Sequence, residues 1–306
     1  MQVLLADMGG TNIRFALWDK KKLSEIARFR CADFSSFECV LAHFLSTQKA
    51  KPKHFVLAVP APVLGDELSF VNNSWRFKIS KIKRQFGFKS VDVMNDFQAQ
   101  ALSVTALDKK QIVPLSNVRK NASFPSVVVG AGTGLGVGIL LPGGTALSSE
   151  GGHIGVSPIN KTEEKILHKV LLRFRRVSAE RVISGPGLGF LYEYFTRKKL
   201  SGADVLDMAL AGDKKALKAL FQMFAFWGSV CGDLALTLNA LGGIYLSGGI
   251  VQADGVVDLL QKSDFMQRFC AKGRHGKLMA QIPCFAIIQK DVAFVGLCTF
   301  AEKYFV

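Results

Sequence analysis

Two segments of this chain follow one plan. Leu4-Leu5-Ala6-Asp7-Met8-Gly9-Gly10-Thr11-Asn12-Ile13-Arg14-Phe15-Ala16-Leu17 reads as an apolar strand, a glycine turn and a second apolar strand. Val127-Val128-Val129-Gly130-Ala131-Gly132-Thr133-Gly134-Leu135-Gly136-Val137 repeats it, with Gly132-Thr133 in the place of Gly10-Thr11. Glycine lets backbone N–H groups come close to an anion, and threonine adds a hydroxyl. A third strand-to-glycine junction follows at Ile244-Tyr245-Leu246-Ser247-Gly248-Gly249. Glycine turns at the C-terminal ends of parallel strands are where α/β folds receive phosphate groups. The repetition predicts a duplicated α/β fold that holds a nucleotide between its halves. Asp7 stands just before the first turn, where a carboxylate would repel phosphate unless Mg²⁺ lay between them. Taken alone, the first segment reads equally well as an ordinary Gly-Gly hairpin with a surface Asp.

Composition narrows the class. At 306 residues and 49 % hydrophobic content, the chain can build a full core in one large or two ordinary domains. The opening apolar run stops at Asp7, which does not fit a signal peptide. The uncharged stretch from Ser126 to Leu141 is short and glycine-rich, so it reads as a buried hairpin rather than a membrane span. The six cysteines form no CxxC pair and read as free thiols of a reducing cytosol. A net charge of +15 admits anionic partners, but it is dispersed, with local clusters at Lys20-Lys21-Lys22, Lys81-Ile82-Lys83-Arg84 and Arg173-Phe174-Arg175-Arg176. No helix-turn-helix, zinc finger or RNA-binding aromatic box accompanies it, so neither nucleic acid nor a membrane is expected as partner.

Periodicity sets the order of elements. Strands are expected at Gln2–Ala6 and Arg14–Trp18, with a third containing Ala27, Phe29 and Cys31. Phe37, Val40, Leu41, Phe44 and Leu45 have helical spacing after Ser35-Ser36. His54–Pro60 and Val91–Met94 read as strands, the latter running into Asn95-Asp96 and a helix to Leu107. The second half restarts at Val127, with a helix from Thr162 to Leu172 and one from Ala216 to Leu241 that is apolar on nearly every face. The tail from Asp291 to Tyr304 reads as helix. The domain boundary is placed at residue 106, giving domains of 1–106 and 107–290, with the C-terminal helix 291–306 returning to the first.

The chemistry is first narrowed by absences. There is no G-x-x-x-x-G-K-[ST] and no strand followed by G-x-G-x-x-G, so a P-loop and a dinucleotide fingerprint are excluded. Asn95-Asp96 stands where a strand ends and a helix begins, a place where side chains face a cleft. A carboxylate there can take the proton of a hydroxyl that attacks phosphorus. Asp96 reads equally as a helix N-cap. Glu150-Gly151-Gly152-His153 and Glu180 offer carboxylate acceptors and an imidazole donor, the mixture that sugar hydroxyls require. Asn72-Asn73-Ser74-Trp75 suits a sugar-facing loop, or an ordinary turn with a packing Trp.

In order and spacing, these segments resemble the bacterial glucokinase family, within the hexokinase/actin-like ATPase superfamily. The resemblance covers nearly the whole chain and includes Ser178-Ala179-Glu180-Arg181-Val182-Ile183-Ser184-Gly185-Pro186-Gly187. It implies two ribonuclease H-like α/β domains of the actin/hexokinase type flanking a central cleft. It implies a cytoplasmic, homodimeric enzyme that transfers the γ-phosphoryl group of ATP to the 6-hydroxyl of glucose in the first step of glycolysis. Asp96 would be the general base, and Asn72, Asn95, Glu150, His153 and Glu180 would hold sugar hydroxyls. Asp7 would orient Mg²⁺ through water. Gly9, Gly10, Thr11 and Asn12 with Gly132, Thr133 and Gly134 would hold phosphates, and Gly248 and Gly249 would pass beneath the adenosine. Two departures stand out. Ile154 through Asn160 lacks the cysteine cluster of the related ROK kinases, and Asn73 stands where relatives often carry His. Rival readings are a kinase of another hexose or amino sugar, a sugar-sensing regulator, and an ATPase with a structural role.

Overall fold

The Gln2–Met8 strand is buried along nearly its whole length, as its apolar run from Val3 to Ala6 requires. A computed structural model gives its neighbours and describes every residue except Met1, Ala50 and residues 71–73. The chain divides into two units, one of Met1–Leu107, Gly144–Ser148 and Asp291–Val306, the other of Asp108–Gly143 and Ser149–Lys290.

In the first unit, Gln2–Met8 lies between the antiparallel strand Asn12–Asp19 and the parallel strand His54–Val59. His54–Val59 pairs in parallel with Ser90–Asn95. The short strands Lys22–Leu23 and Ala27–Arg30 share the far edge of Asn12–Asp19. Parallel neighbours require a crossover, and the Phe37–Ser46 helix supplies the one between Ala27–Arg30 and His54–Val59. The Ser36 hydroxyl caps it by accepting the Cys39 N–H at 3.2 Å. Its apolar stripe of Phe37, Val40, Leu41 and Phe44 is buried, and Phe44 stacks on Phe15 at 5.0 Å. The helices Asp96–Ser103 and Val292–Phe305 pack together, and the latter also lies against Gln2–Met8 and His54–Val59. Gly296 allows that approach, because a Cβ there would overlap the carbonyl oxygen of Ala99.

Two expected boundaries move. The third strand stops at Arg30, and Cys31 opens a single helical turn. The Asp96 helix ends at Ser103 rather than Leu107. Beyond it the bonds tighten to the three-residue pattern, Val104 N–H to Ala101 O at 3.2 Å and Ala106 N–H to Ser103 O at 2.8 Å.

The second unit is centred on Ser126–Ala131, which pairs antiparallel with Leu135–Leu141 and parallel with Gly243–Ser247. Cys284–Ile287 extends the parallel set, and Ile112–Pro114 pairs antiparallel with it. The Lys214–Leu238 helix begins where the Asp213 carboxylate accepts the N–H groups of Lys215 and Ala216 at 2.9 and 2.8 Å. It stops at Asn239, which takes the left-handed conformation at φ 48°, so it does not reach Leu241. It is long and apolar enough to cross a membrane, but 72 % of its apolar window is buried within the protein, as in a core helix. A buried ion pair crosses this core. Glu163, fully buried, accepts from Arg268 and from the Ile159 N–H at 3.0 Å. Gln222 adds a bond at 3.2 Å, so the pair ties Lys161–Phe174 to Lys214–Leu238 and Phe265–Cys270.

Candidate active site

The first unit carries one group of candidate residues. Its parallel strands end in register, with Asp7 opposite Ala58, Ala58 opposite Met94 and Val59 opposite Asn95. Asp7 and the Asn95-Asp96 pair therefore issue from carboxyl ends on either side of His54–Val59, where open α/β sheets bind ligands. The first turn is closed by the Gly9 N–H donating to Asn12 O at 2.8 Å, and Gly10, Thr11 and Asn12 are exposed.

Asp7 is only 6 % exposed. The hairpin places Arg14 directly opposite, and its guanidinium stands 3.1 Å from Asp7 Oδ2. Arg14 also donates to Asp291 Oδ1 at 2.7 Å, and Arg28 donates to Asp291 Oδ2. Burial pushes the Asp7 carboxyl above its ordinary value, and the attraction of Arg14 only partly reverses this. For Asp291, burial also opposes ionisation, but the hydrogen bonds from Arg28 and Arg14 outweigh it and lower the value. Among the described residues, no three His, Cys, Asp or Glu side chains gather as a cation cage. A single buried carboxylate beside a glycine turn fits Mg²⁺, which keeps several waters and binds through one or two carboxylates plus substrate phosphates.

Asn95 and Asp96 both accept backbone N–H groups at the helix start. Asn95 is the N-cap, its Oδ1 accepting the N–H of Phe97 at 2.9 Å and of Gln98 at 3.3 Å. Asp96 is the first helical residue and half-buried, its Oδ1 accepting the Phe97 N–H at 2.9 Å. Because Asn95 spends its oxygen on the cap, only its amide N–H₂ is left to meet a hydroxyl. That group reaches Val59 O at 3.5 Å. Asn72 lies outside the described residues.

The second unit carries the other group. Its turn is closed by the Gly132 N–H donating to Gly134 O at 2.9 Å, and Thr133 is exposed. Two neighbouring glycine segments pack on this turn. The Gly185 N–H donates to Gly132 O at 2.7 Å, and the Ile250 N–H to Ala131 O at 3.3 Å. Gly248 takes φ 93°, and a Cβ on it would run into the backbone of Ala131, so only glycine serves there.

Glu180 accepts the N–H of Leu135 at 3.1 Å through Oε2, which joins the expected sugar carboxylate to the expected phosphate hairpin. A Cβ on Gly134 would stand 2.5 Å from that same oxygen. Gly152 packs on the other side of Leu135, where a Cβ would overlap its carbonyl oxygen. Glu150 and His153 flank this contact and are 61 % and 55 % exposed, with Nε2 and Oε2 3.8 Å apart. Both side chains are thus open to a ligand.

Arg14 and the Leu135 peptide were not among the expected site residues. The hairpin register that puts Arg14 opposite Asp7 follows from the strand pattern and could have revealed it. Asp291, by contrast, is joined to Arg14 across most of the chain, and no local signal marks it.

Comparison with known proteins gives the family. The family model described as Glucokinase matches residues 4–304. The chain is 35 % identical to a glucokinase of Cupriavidus metallidurans, covering 96 % of this chain and 91 % of that protein. A crystal structure of glucokinase from an Antarctic psychrotroph superposes with a TM-score of 0.86 at 32 % identity, covering 99 % of each chain. A ROK family glucokinase from Streptomyces griseus, in complex with glucose and AMPPNP, gives a TM-score of 0.71 at 17 % identity, over 99 % of this chain and 100 % of that one. The fold is that of the glucokinase/hexokinase-type sugar kinases, with the actin-like ATPase architecture. By sequence and by structure, the chain belongs to the glucokinase family.

Proposed function

We propose that this protein transfers the γ-phosphoryl group of ATP to the 6-hydroxyl of glucose, giving glucose 6-phosphate and ADP. The observation that carries the reading is the placement of Asp96. It opens a helix at the carboxyl end of a parallel strand, while Asn95 takes over the capping. Its carboxylate accepts the Phe97 N–H through Oδ1, and its place at the strand end suits it to act as base. In this reading Asp96 accepts the 6-hydroxyl proton as that oxygen bonds to the γ-phosphorus. The bond from the γ-phosphorus to the bridging oxygen breaks, and ADP leaves. Asn95 donates to a sugar hydroxyl, and Glu150, His153 and Glu180 hold others, with Asn72 as a further contact. The N–H groups around Gly9–Asn12 and Gly132–Gly134 bind phosphate oxygens, and Gly248 and Gly249 lie under the adenosine. Asp7 would hold Mg²⁺ through water, and Arg14 tempers the charge of the buried carboxylate. When bound, that ion neutralises charge on the phosphates.

The glucokinase family match and the glucose and AMPPNP seen in the Streptomyces griseus protein support glucose and ATP as substrates. The same reading assigns the enzyme to the first step of glycolysis in the cytoplasm, as a homodimer. A coupled ADP-release assay over a panel of hexoses, with and without Mg²⁺, tests it. Glucose should be the preferred acceptor, and removing Mg²⁺ should abolish turnover. Asp96→Asn should lower kcat by about 10²–10⁴-fold while calorimetric glucose affinity changes little. Near-normal turnover in that variant would remove Asp96 from the role of base, and a better hexose in the panel would replace glucose.

A further inference from the structure

We propose that Arg176 is a positioning residue for sugar binding, acting through the main chain of His153. The inference rests on the reading of His153 as a sugar ligand. It concerns what holds that residue in place. The imidazole itself is loosely held, 55 % exposed and 3.8 Å from Glu150 Oε2, beyond hydrogen-bonding distance. The backbone therefore sets where the ring is presented.

That backbone is a single helical turn, Gly151–His153, closed by the His153 N–H donating to Glu150 O at 3.0 Å. A helical turn leaves its last carbonyls without partners. The carbonyl of His153 is satisfied by the Arg176 guanidinium, whose Nη2 donates to it at 3.1 Å. A cation at the C-terminal end of a turn also suits the direction of its dipole.

Two further features direct Arg176 to this place. The Lys161–Phe174 helix ends with Arg175 in the left-handed conformation, φ 59°, its N–H donating to Leu171 O at 2.8 Å. This reverses the chain immediately before Arg176. The following residues then run beside the histidine loop, with the Ala179 N–H donating to Ile154 O at 2.9 Å and Gly155 bridged antiparallel to Ser178. The next residue, Glu180, bonds the Leu135 N–H. Arg176 thus starts a short segment that fixes the backbone of one proposed sugar ligand and ends in another.

The test compares Arg176→Ala and Arg176→Lys with the unaltered protein. Glucose affinity is measured by calorimetry, which needs no turnover, together with KM for glucose, KM for ATP, kcat and Tm. Arg176→Ala should weaken glucose binding and raise its KM roughly three- to tenfold, the worth of about one partly exposed hydrogen bond. KM for ATP, kcat and Tm should stay close to those of the unaltered protein. Arg176→Lys should recover most of the loss, because the carbonyl takes a single donor. In a His153→Ala background, Arg176→Ala should add nothing. Unchanged glucose affinity in Arg176→Ala overturns the proposal, as does a parallel rise in both KM values with a lower Tm. If the unaltered protein binds glucose without consuming ATP, the kinase reading fails while the role of Arg176 is still decided by the calorimetry.

Discussion

Asp7 and Asp291 show how one arginine gives two carboxylates opposite characters. Asp7 is buried, Asp291 is half-buried and both face Arg14, yet Asp7 is pushed upward while Asp291 is pulled downward. Asp7 is the more deeply buried, and it lacks a direct bond from the second cation, Arg28, which bonds Asp291 and acts on Asp7 only at a distance. Asp291 also sits at φ 53°, a conformation that Asn tolerates, so Asp291→Asn changes the charge without straining the backbone. The Asp291 carboxyl titrates below its ordinary value of 3.8 in the native state. Its contribution is therefore complete above that value and is lost as the pH falls through the lowered native one. Asp291→Asn should cost about 1–2 kcal/mol at pH 7, moderated by the solvent around Arg28, and the two proteins should converge as the pH falls through the lowered native value. Urea denaturation across that pH range measures the difference. A gap that persists undiminished in acid would show that charge is not its cause.

At the level of elements, the helix that carries Asp96 is held from behind. Its Ala99 carbonyl lies against Gly296 of the C-terminal helix, with no room for a side chain between them. Gly296→Val must drive the two helices apart. A cost of about 2–3 kcal/mol is expected from the overlap. Because the displaced helix begins at Asp96, kcat should fall along with stability, read from the denaturation midpoint and the coupled assay. If the midpoint falls and kcat per folded molecule does not, the base is held by its strand end rather than by this packing. The expected helix over this region ran to Leu107 because its composition stays apolar. The fold ends it at Ser103, where tertiary packing takes precedence over propensity.

Over the whole molecule, the first unit is assembled from three separate pieces of chain. Its last piece buries Val292, Ala293, Phe294, Leu297 and Ala301. Truncation after Lys290 would remove that apolar surface and expose the strands Gln2–Met8 and His54–Val59, on which the helix packs. Hydrogen exchange should then show lost protection in those two strands, while Ser126–Ala131 and Gly243–Ser247 of the second unit stay protected. Equal loss in both sets would mean that the two units fold as one cooperative body.

What the sequence determined by itself is local and periodic. The apolar runs at Gln2–Met8 and Ser126–Ala131, the glycine turns after them and the stripe of Phe37, Val40, Leu41 and Phe44 fix their own conformations, because φ/ψ freedom and side-chain spacing act over a few residues. Even the facing of Asp7 and Arg14 is implicit in the hairpin. Tertiary structure alone decided that Asp291 returns to Arg14, and that Glu180 and Gly152 meet at the Leu135 peptide. Those outcomes depend on which groups burial brings within about 3 Å of each other, and hydrogen bonding at that range leaves no periodicity in the chain to read.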